Sequence, residues 1–378
     1  MRTATRSEIP FLDLTAMSRE VGDDLDGVWR EVTRSSAFIG GPLVERFERD
    51  WARACGRAAA VGVANGTDAI ELILRALGVG RGDEIVVPAN TFVATAEAVV
   101  MAGAVPRFAD VDARTLMATP ESVDAVITRR TVAVIAVDLF GNMPRMDELA
   151  RLVRSRGLAF IEDAAQAHGA SWRGTTAGGF GVASAFSFYP GKNLGAFGDG
   201  GAVVTDDAEV ERRIRCLADH GRSAKAKHQH PRIGRNSRLD ALQAGVLSAK
   251  LRRLGDWNAR RRAAAAIYDR TLDPAIGRVE LEPGTVSAHH LFVVRVPRRD
   301  RVRERLDDLG VRTGIHYPVP CHLQPPYRRF AATPLPEAER AAGELLSLPM
   351  FPTIDAGQIV EVCDRLHTAL GGPDAGRP

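Results

Sequence analysis

Between residues 45 and 205, short apolar runs alternate with amphipathic stretches. The runs at 58–63, 84–88, 105–109, 132–137, 159–162, 183–187 and 202–205 are rich in Val, Ile and Ala and bounded by Gly, Pro, Asn or Asp, the signature of buried strands. Apolar positions at 67–77, 94–102 and 146–156 recur with the helical period instead. Strands spaced by helices predict an α/β fold with a doubly wound, mostly parallel sheet. In such sheets ligands gather at the carboxyl ends of the strands. After Asp206 the texture changes. Residues 208–217 read as a helix, 219–237 as a polar loop containing histidines, and 239–268 as a long helical region broken near Gly255. Residues 286–296, 301–309 and 359–370 suit a smaller α+β lobe, and the proline-rich stretch 317–336 a loop. The pattern therefore predicts a large α/β domain over 1–250 that includes the N-terminal segment, a small C-terminal α+β domain over 251–370, and a disordered tail over 371–378.

Composition narrows the function classes. The most apolar stretch, 85–106, is interrupted by Asn90, Glu97, Gly103 and two prolines, so it predicts a strand–loop–helix and no membrane span. Residues 1–10 carry Arg2, Arg6 and Glu8 with no apolar run behind them, which points to a cytoplasmic protein without an export signal. A net charge of +3 gives no field strong enough to draw the whole molecule to nucleic acid, and the basic runs 260–262 and 298–301 read as solvated faces. Cys55, Cys216, Cys321 and Cys363 show no CxxC spacing and suit reduced thiols, with no metal site expected. Of fifty basic residues only four are lysines: Lys192, Lys225, Lys227 and Lys250. Where charge alone is needed this chain uses arginine, so a lysine in a glycine-rich loop suggests an amine that loses its proton and acts as a nucleophile.

That lysine lies in Ser187-Phe-Tyr-Pro-Gly-Lys192, followed by Gly195 and by Gly198-Asp-Gly-Gly201. A strand end carrying a serine, then glycines and a lysine, can bind a phosphate with the hydroxyl while the amine forms a Schiff base. The same segment also fits a plain glycine-rich turn with a solvent-facing lysine. In Phe160-Ile-Glu-Asp-Ala-Ala-Gln166 an apolar run ends at Asp163. Its carboxylate can hold the pyridine nitrogen of pyridoxal phosphate protonated, with Gln166 on the ring hydroxyl; a helix N-cap is the competing reading. Ala64-Asn-Gly-Thr67 passes from a strand end into a helix, where free N–H groups at Gly66 and Thr67 can bind phosphate or simply be capped. Phe92 follows the next strand and can stack on a ring or pack in the core. One phosphorylated aromatic aldehyde accounts for all of these segments together.

Taken with Ile9-Pro-Phe-Leu-Asp-Leu14, Phe38-Ile-Gly-Gly-Pro42 and Asn236-Ser-Arg-Leu-Asp-Ala-Leu-Gln243, these motifs resemble the DegT/DnrJ/EryC1/StrS sugar aminotransferases, of the fold type I pyridoxal-phosphate class, from about residue 10 to 370. The resemblance implies that Lys192 holds the cofactor and shuttles the proton, that Asp163 and Gln166 contact its ring, that Phe92 stacks on it, and that Gly66, Thr67 and Ser187 cradle its phosphate. It also implies a homodimer in which Asn236 reaches the neighbouring subunit's phosphate. Within the family the segments around Tyr189 and around His316-Tyr317 are similar to enzymes that aminate C3 of nucleotide-linked 3-keto-6-deoxyhexoses with L-glutamate as donor. Tyr189, His220, Arg238, His316, Tyr317 and His322 are then the substrate candidates. Two positions depart from the family: Asp138 stands where a histidine is usual, bearing on which sugar fits, and Asp240 where a glutamate is usual. C4 amination is the main alternative, and a non-catalytic cofactor-binding protein is another. A sugar dehydratase is disfavoured because Lys192 is present, regulation through DNA because no binding helix pair is appended, and a nicotinamide dehydrogenase because no GxGxxG follows an early strand.

Overall fold

A computed structural model describes residues 8–226 and 228–371. Seven strands form the main sheet: β1 (Ala59–Val63), β2 (Glu84–Pro88), β3 (Val105–Ala109), β4 (Thr131–Val137), β5 (Ala159–Asp163), β6 (Ala183–Ser187) and β7 (Gly201–Thr205). Their order is β1-β7-β6-β5-β4-β2-β3. Neighbours from β6 to β3 pair in parallel, and β7 runs antiparallel to both β1 and β6. The strands expected from the hydrophobic pattern coincide with these to within one residue at each end.

Both faces of the sheet are covered, which is why its strands read as unbroken apolar runs. Alternate residues enter different cores. Val61, Ile85, Val87, Ala133 and Ile135 pack with Ile70, Leu72 and Ile73 on one side. Ala60, Val86, Val134 and Ala136 pack with Phe47, Trp51, Phe186 and Leu247 on the other. The helices supplying these faces include α1 (Pro42–Ala54), α2 (Gly66–Ala76), α3 (Val93–Met101), α4 (Met146–Ser155) and α5 (Ala208–Ala218). Two further helices, Leu14–Arg19 and Gly22–Ser35, precede α1.

The long helix α6 (Ala241–Thr271) is continuous through Gly255, against the expected break. Gly255 is on the solvent side, and a β-carbon there would meet nothing within 4 Å. Its neighbours Leu254, Trp257 and Asn258 are buried, so packing outweighs the cost of about 1 kcal/mol for a glycine in a helix. The helix also crosses the division expected at residue 250. Its first half joins the large core through Ala244, Leu247 and Leu254, and its second half joins a smaller core through Ala264, Ala265 and Tyr268. That smaller core is built on an antiparallel sheet of β8 (Gly277–Arg278), β9 (Phe292–Arg295) and β10 (Leu345–Leu348), with α7 (Arg299–Asp308) and α8 (Ala356–Gly371). Ile9, expected in the large domain, is fully buried in this smaller core, because its backbone pairs with Gly310 and Arg312 at 2.9 and 3.0 Å. The tail expected to be disordered lies, beyond Gly371, outside the described residues. Among them no helix is long and apolar enough to cross a membrane.

Candidate active site

A cavity of about 470 Å³ opens at the carboxyl ends of β4, β5 and β6, within the size range of small-molecule sites. Lys192, Asp163, Gln166, Ser187 and Tyr189 line it, together with Gly66 and Thr67 at the start of α2, Phe92 before α3, and His316 and Tyr317 from the proline-rich segment. The remaining candidates lie elsewhere. Asn236 and His220 are exposed and outside this cavity. Arg238 donates from Nη1 to Asp219 at 2.8 Å. His322 is buried to 1 % exposure in a turn of 3-10 helix, with Nε2 3.1 Å from Glu339, and does not line this cavity. Asp138 does not line the cavity either. It is fully buried beside Glu162, and burial, then the nearby Glu162 and Asp163, push its carboxyl well above the usual range. Glu162 is also shifted up by burial, although Gly178 N, Phe180 N and the Ser184 hydroxyl donate to it at 2.9, 3.2 and 2.7 Å. Both Asp138 oxygens lack a hydrogen-bond partner among the described residues, and no cation there pairs with either acid, so burial favours the neutral form of Asp138.

The loop after β6 carries Lys192 over an aromatic bed. Trp51 meets Phe186 and Phe188 edge to face with centroids 4.8 and 5.5 Å apart. The loop closes through Ala196 N donating to Phe188 O at 2.8 Å, and Lys250 Nζ donates to Gly195 O at 2.7 Å. A β-carbon at Gly195 would stand 2.3 Å from the Pro190 carbonyl oxygen, so only glycine closes the loop here. Burial pushes the Lys192 amine down from 10.5 to about 8, and the nearby Asp163 carboxylate only partly opposes this.

Asp163, at the end of β5, is 5 % exposed. Burial raises its pKa, while Thr95, Ala165 and Lys192 pull it back. Thr95 Oγ1 donates to Oδ2 at 2.8 Å and Ala165 N to Oδ1 at 3.2 Å. Because the single Thr95 proton is committed to Asp163, Thr91, 2.9 Å away, is the donor to Thr95. Gln166 accepts from Phe140 N at 2.7 Å and donates to the Tyr317 hydroxyl at 3.0 Å. The Phe92 and Tyr317 rings lie 5.5 Å apart. Neither threonine was legible in advance, since a hydroxyl at a strand-to-helix loop (Thr91) or in the first turn of a helix (Thr95) carries no mark of its tertiary partner.

The start of α2 presents backbone donors that can receive an anion. Asn65 caps the helix by accepting from Asp68 N at 2.8 Å, which leaves the N–H groups of the first turn at the cavity wall. A β-carbon on Gly66 would fall 2.7 Å from Cβ of Ser187, so glycine lets the serine come up to the helix end. A corner able to receive an anion, a carboxylate held by donors, and an amine of lowered pKa thus share one cavity. Those are the groups a phosphorylated pyridine aldehyde requires, and the residues present fit it.

The relatives agree. The model of the DegT/DnrJ/EryC1/StrS aminotransferase family matches residues 20–367. The chain is 47 % identical to the erythromycin biosynthesis sensory transduction protein EryC1 of Saccharopolyspora erythraea, covering 91 % of this chain and 95 % of that one. It is 44 % identical to the dTDP-3-amino-3,4,6-trideoxy-alpha-D-glucose transaminase of Streptomyces venezuelae, with 96 % and 97 % covered. The crystal structure of S. venezuelae DesV in complex with a ketimine intermediate superposes with a TM-score of 0.93 over 97 % of this chain and all of that one, at 44 % identity. By its sequence, its fold and the family match over most of its length, the chain belongs to the DegT/DnrJ/EryC1/StrS aminotransferases.

Proposed function

We propose that this protein transfers the amino group of L-glutamate to C3 of a dTDP-linked 3-keto-6-deoxyhexose, using pyridoxal phosphate, in deoxyamino-sugar biosynthesis. The observation that carries the reading is the meeting of Lys192, Asp163 and the Gly66–Ser187 corner in one cavity. The choice of C3 and of a dTDP sugar follows the 44 % identical S. venezuelae relative, which is named for a 3-amino sugar.

The bound cofactor supplies an aldehyde carbon that accepts and then returns the amino group, and a ring that spreads the charge left when a proton is removed. The chain's own residues do the rest. Asp163 keeps a proton on the ring nitrogen, held in place by the Thr91–Thr95 relay and by Ala165 N. Lys192 is the base and then the acid: its Nζ takes the proton from the donor's α-carbon and delivers one to the sugar carbon. With a pKa of about 8, roughly a tenth of that amine is neutral at pH 7, far more than for an exposed lysine. Gly66, Thr67 and Ser187 hold the phosphate, Phe92 and Gln166 orient the ring, and Tyr189, His316 and Tyr317 bound the sugar. Asn236, with Arg238 near it in sequence and His220 on the segment paired with it, serves the neighbouring subunit of a homodimer; the exposure of Phe38, Ile39, Phe197 and Ile233 supports such an interface. Four free cysteines suit a reducing cytoplasm.

The test is optical. Protein purified with pyridoxal phosphate is expected to be yellow, to bleach with L-glutamate, and to regain colour with a dTDP-linked 3-keto-6-deoxyhexose. Colour that persists with every amino donor overturns the reading. Recovery with 4-keto and not 3-keto sugars moves the amination to C4.

A further inference from the structure

His290 also lines the cavity, in the segment that leads into β9, and its protonation state can be read from the amides around it. Asn258 Nδ2 donates to the His168 carbonyl at 2.7 Å, which turns Asn258 Oδ1 toward Asn193. Asn193, the residue after Lys192, donates from Nδ2 to that oxygen at 2.9 Å and to the Ala288 carbonyl at 2.8 Å. A carbonyl only accepts, so both amide orientations are fixed. Asn193 Oδ1 is left facing His290 Nδ1 at 3.1 Å, and an amide oxygen cannot donate. His290 therefore carries its proton on Nδ1, and Nε2 has a free lone pair. Burial, then the positive Lys192 and Arg261 nearby, keep the ring neutral. Nε2 has no hydrogen-bond partner among the described residues.

We propose that His290 is a substrate-recognition residue whose Nε2 accepts a hydrogen bond from a ring hydroxyl of the keto-sugar. This rests on the aminotransferase reading of the cavity and adds a division of labour to it. A lone pair repels the carboxylates of glutamate and the diphosphate of a nucleotide, whereas a hydroxyl donates to it. His290 thus serves the sugar half of the reaction and not the glutamate half.

Each half can be followed alone as single-turnover bleaching of the bound cofactor, with L-glutamate or with a dTDP-3-amino-3,6-dideoxyhexose, the product of the proposed reaction run in reverse. His290→Phe is expected to raise the half-saturating concentration of the amino sugar roughly 5- to 100-fold and to leave glutamate within about twofold. His290→Gln, whose side-chain oxygen can stand near the Nε2 position, is expected to fall between Phe and wild type. If both halves decline together, His290 holds the Lys192 loop and the proposal is wrong; if neither changes, His290 is idle and it is equally wrong. A measurement on the unsubstituted protein needs no variant to fold: the 15N resonance of unprotonated Nε2 should shift on adding the dTDP-amino sugar and stay put with glutamate. Wild-type protein that glutamate fails to bleach sinks the aminotransferase reading itself. Wild type bleached by glutamate but blind to the dTDP-amino sugar sinks the sugar assignment, and this inference with it.

Discussion

Asp163 illustrates how single side chains set the chemistry. Its carboxylate sits where burial favours the neutral acid, and donation from Thr95 and Ala165 partly opposes that shift. Thr95 is the strongest of these on distance, so Thr95→Val removes a hydrogen bond to a charged acceptor at nearly constant volume. Such bonds contribute about 1.5–3 kcal/mol. The variant should turn over roughly 10- to 100-fold more slowly while its circular dichroism is unchanged; unaltered kcat would remove the relay from the mechanism. Asp163, Lys192 and Ser187 were legible in the sequence because each follows an apolar run that ends in a special residue. Thr95 and His290 were not, because a threonine on a helix and a histidine near a strand look ordinary until the fold supplies their partners.

At the scale of elements, unbroken apolar runs fixed the strands and the caps fixed where helices begin. Asn65 and Asp207 both accept from backbone N–H groups in the first turn of the helices they precede. The one expected interruption, at Gly255, is absent because propensity is a weak term beside burial on both sides of it. Gly255→Ala is accordingly expected to stabilise the protein by about 0.5–1 kcal/mol, since the new methyl meets no atom and the unfolded chain loses freedom. Urea denaturation would check it, and a lowered midpoint would mean that the helix needs its glycine.

For the whole molecule, the site is a cost to stability. Lys192 bears a charge in a buried setting, and a fall from 10.5 to about 8 corresponds to about 3 kcal/mol against the folded state at neutral pH. The sign follows from proton counting. Between pH 8 and 10.5 the unfolded chain holds a proton that the folded one has released, so stability rises with pH across that window. Lys192→Met, which removes the charge at similar volume, should therefore melt higher than the cofactor-free wild type at pH 7, and the gap should narrow as pH climbs from 8 to 10.5. A gap that is absent at pH 7, or that widens with pH, would contradict the assigned burial of the amine.

The sequence by itself determined the strands, their helical spacing, the family, and the segments bearing the lysine, the carboxylate and the phosphate corner. These are local matters: periodicity reports burial, and glycine, proline and capping residues report backbone shape. Tertiary structure alone decided that Ile9 belongs to the smaller core, that α6 joins both cores, that His322 packs against Glu339, and that His290 faces the cavity. Those outcomes depend on which distant segments come together, and a short window of residues carries no record of its partners across the chain.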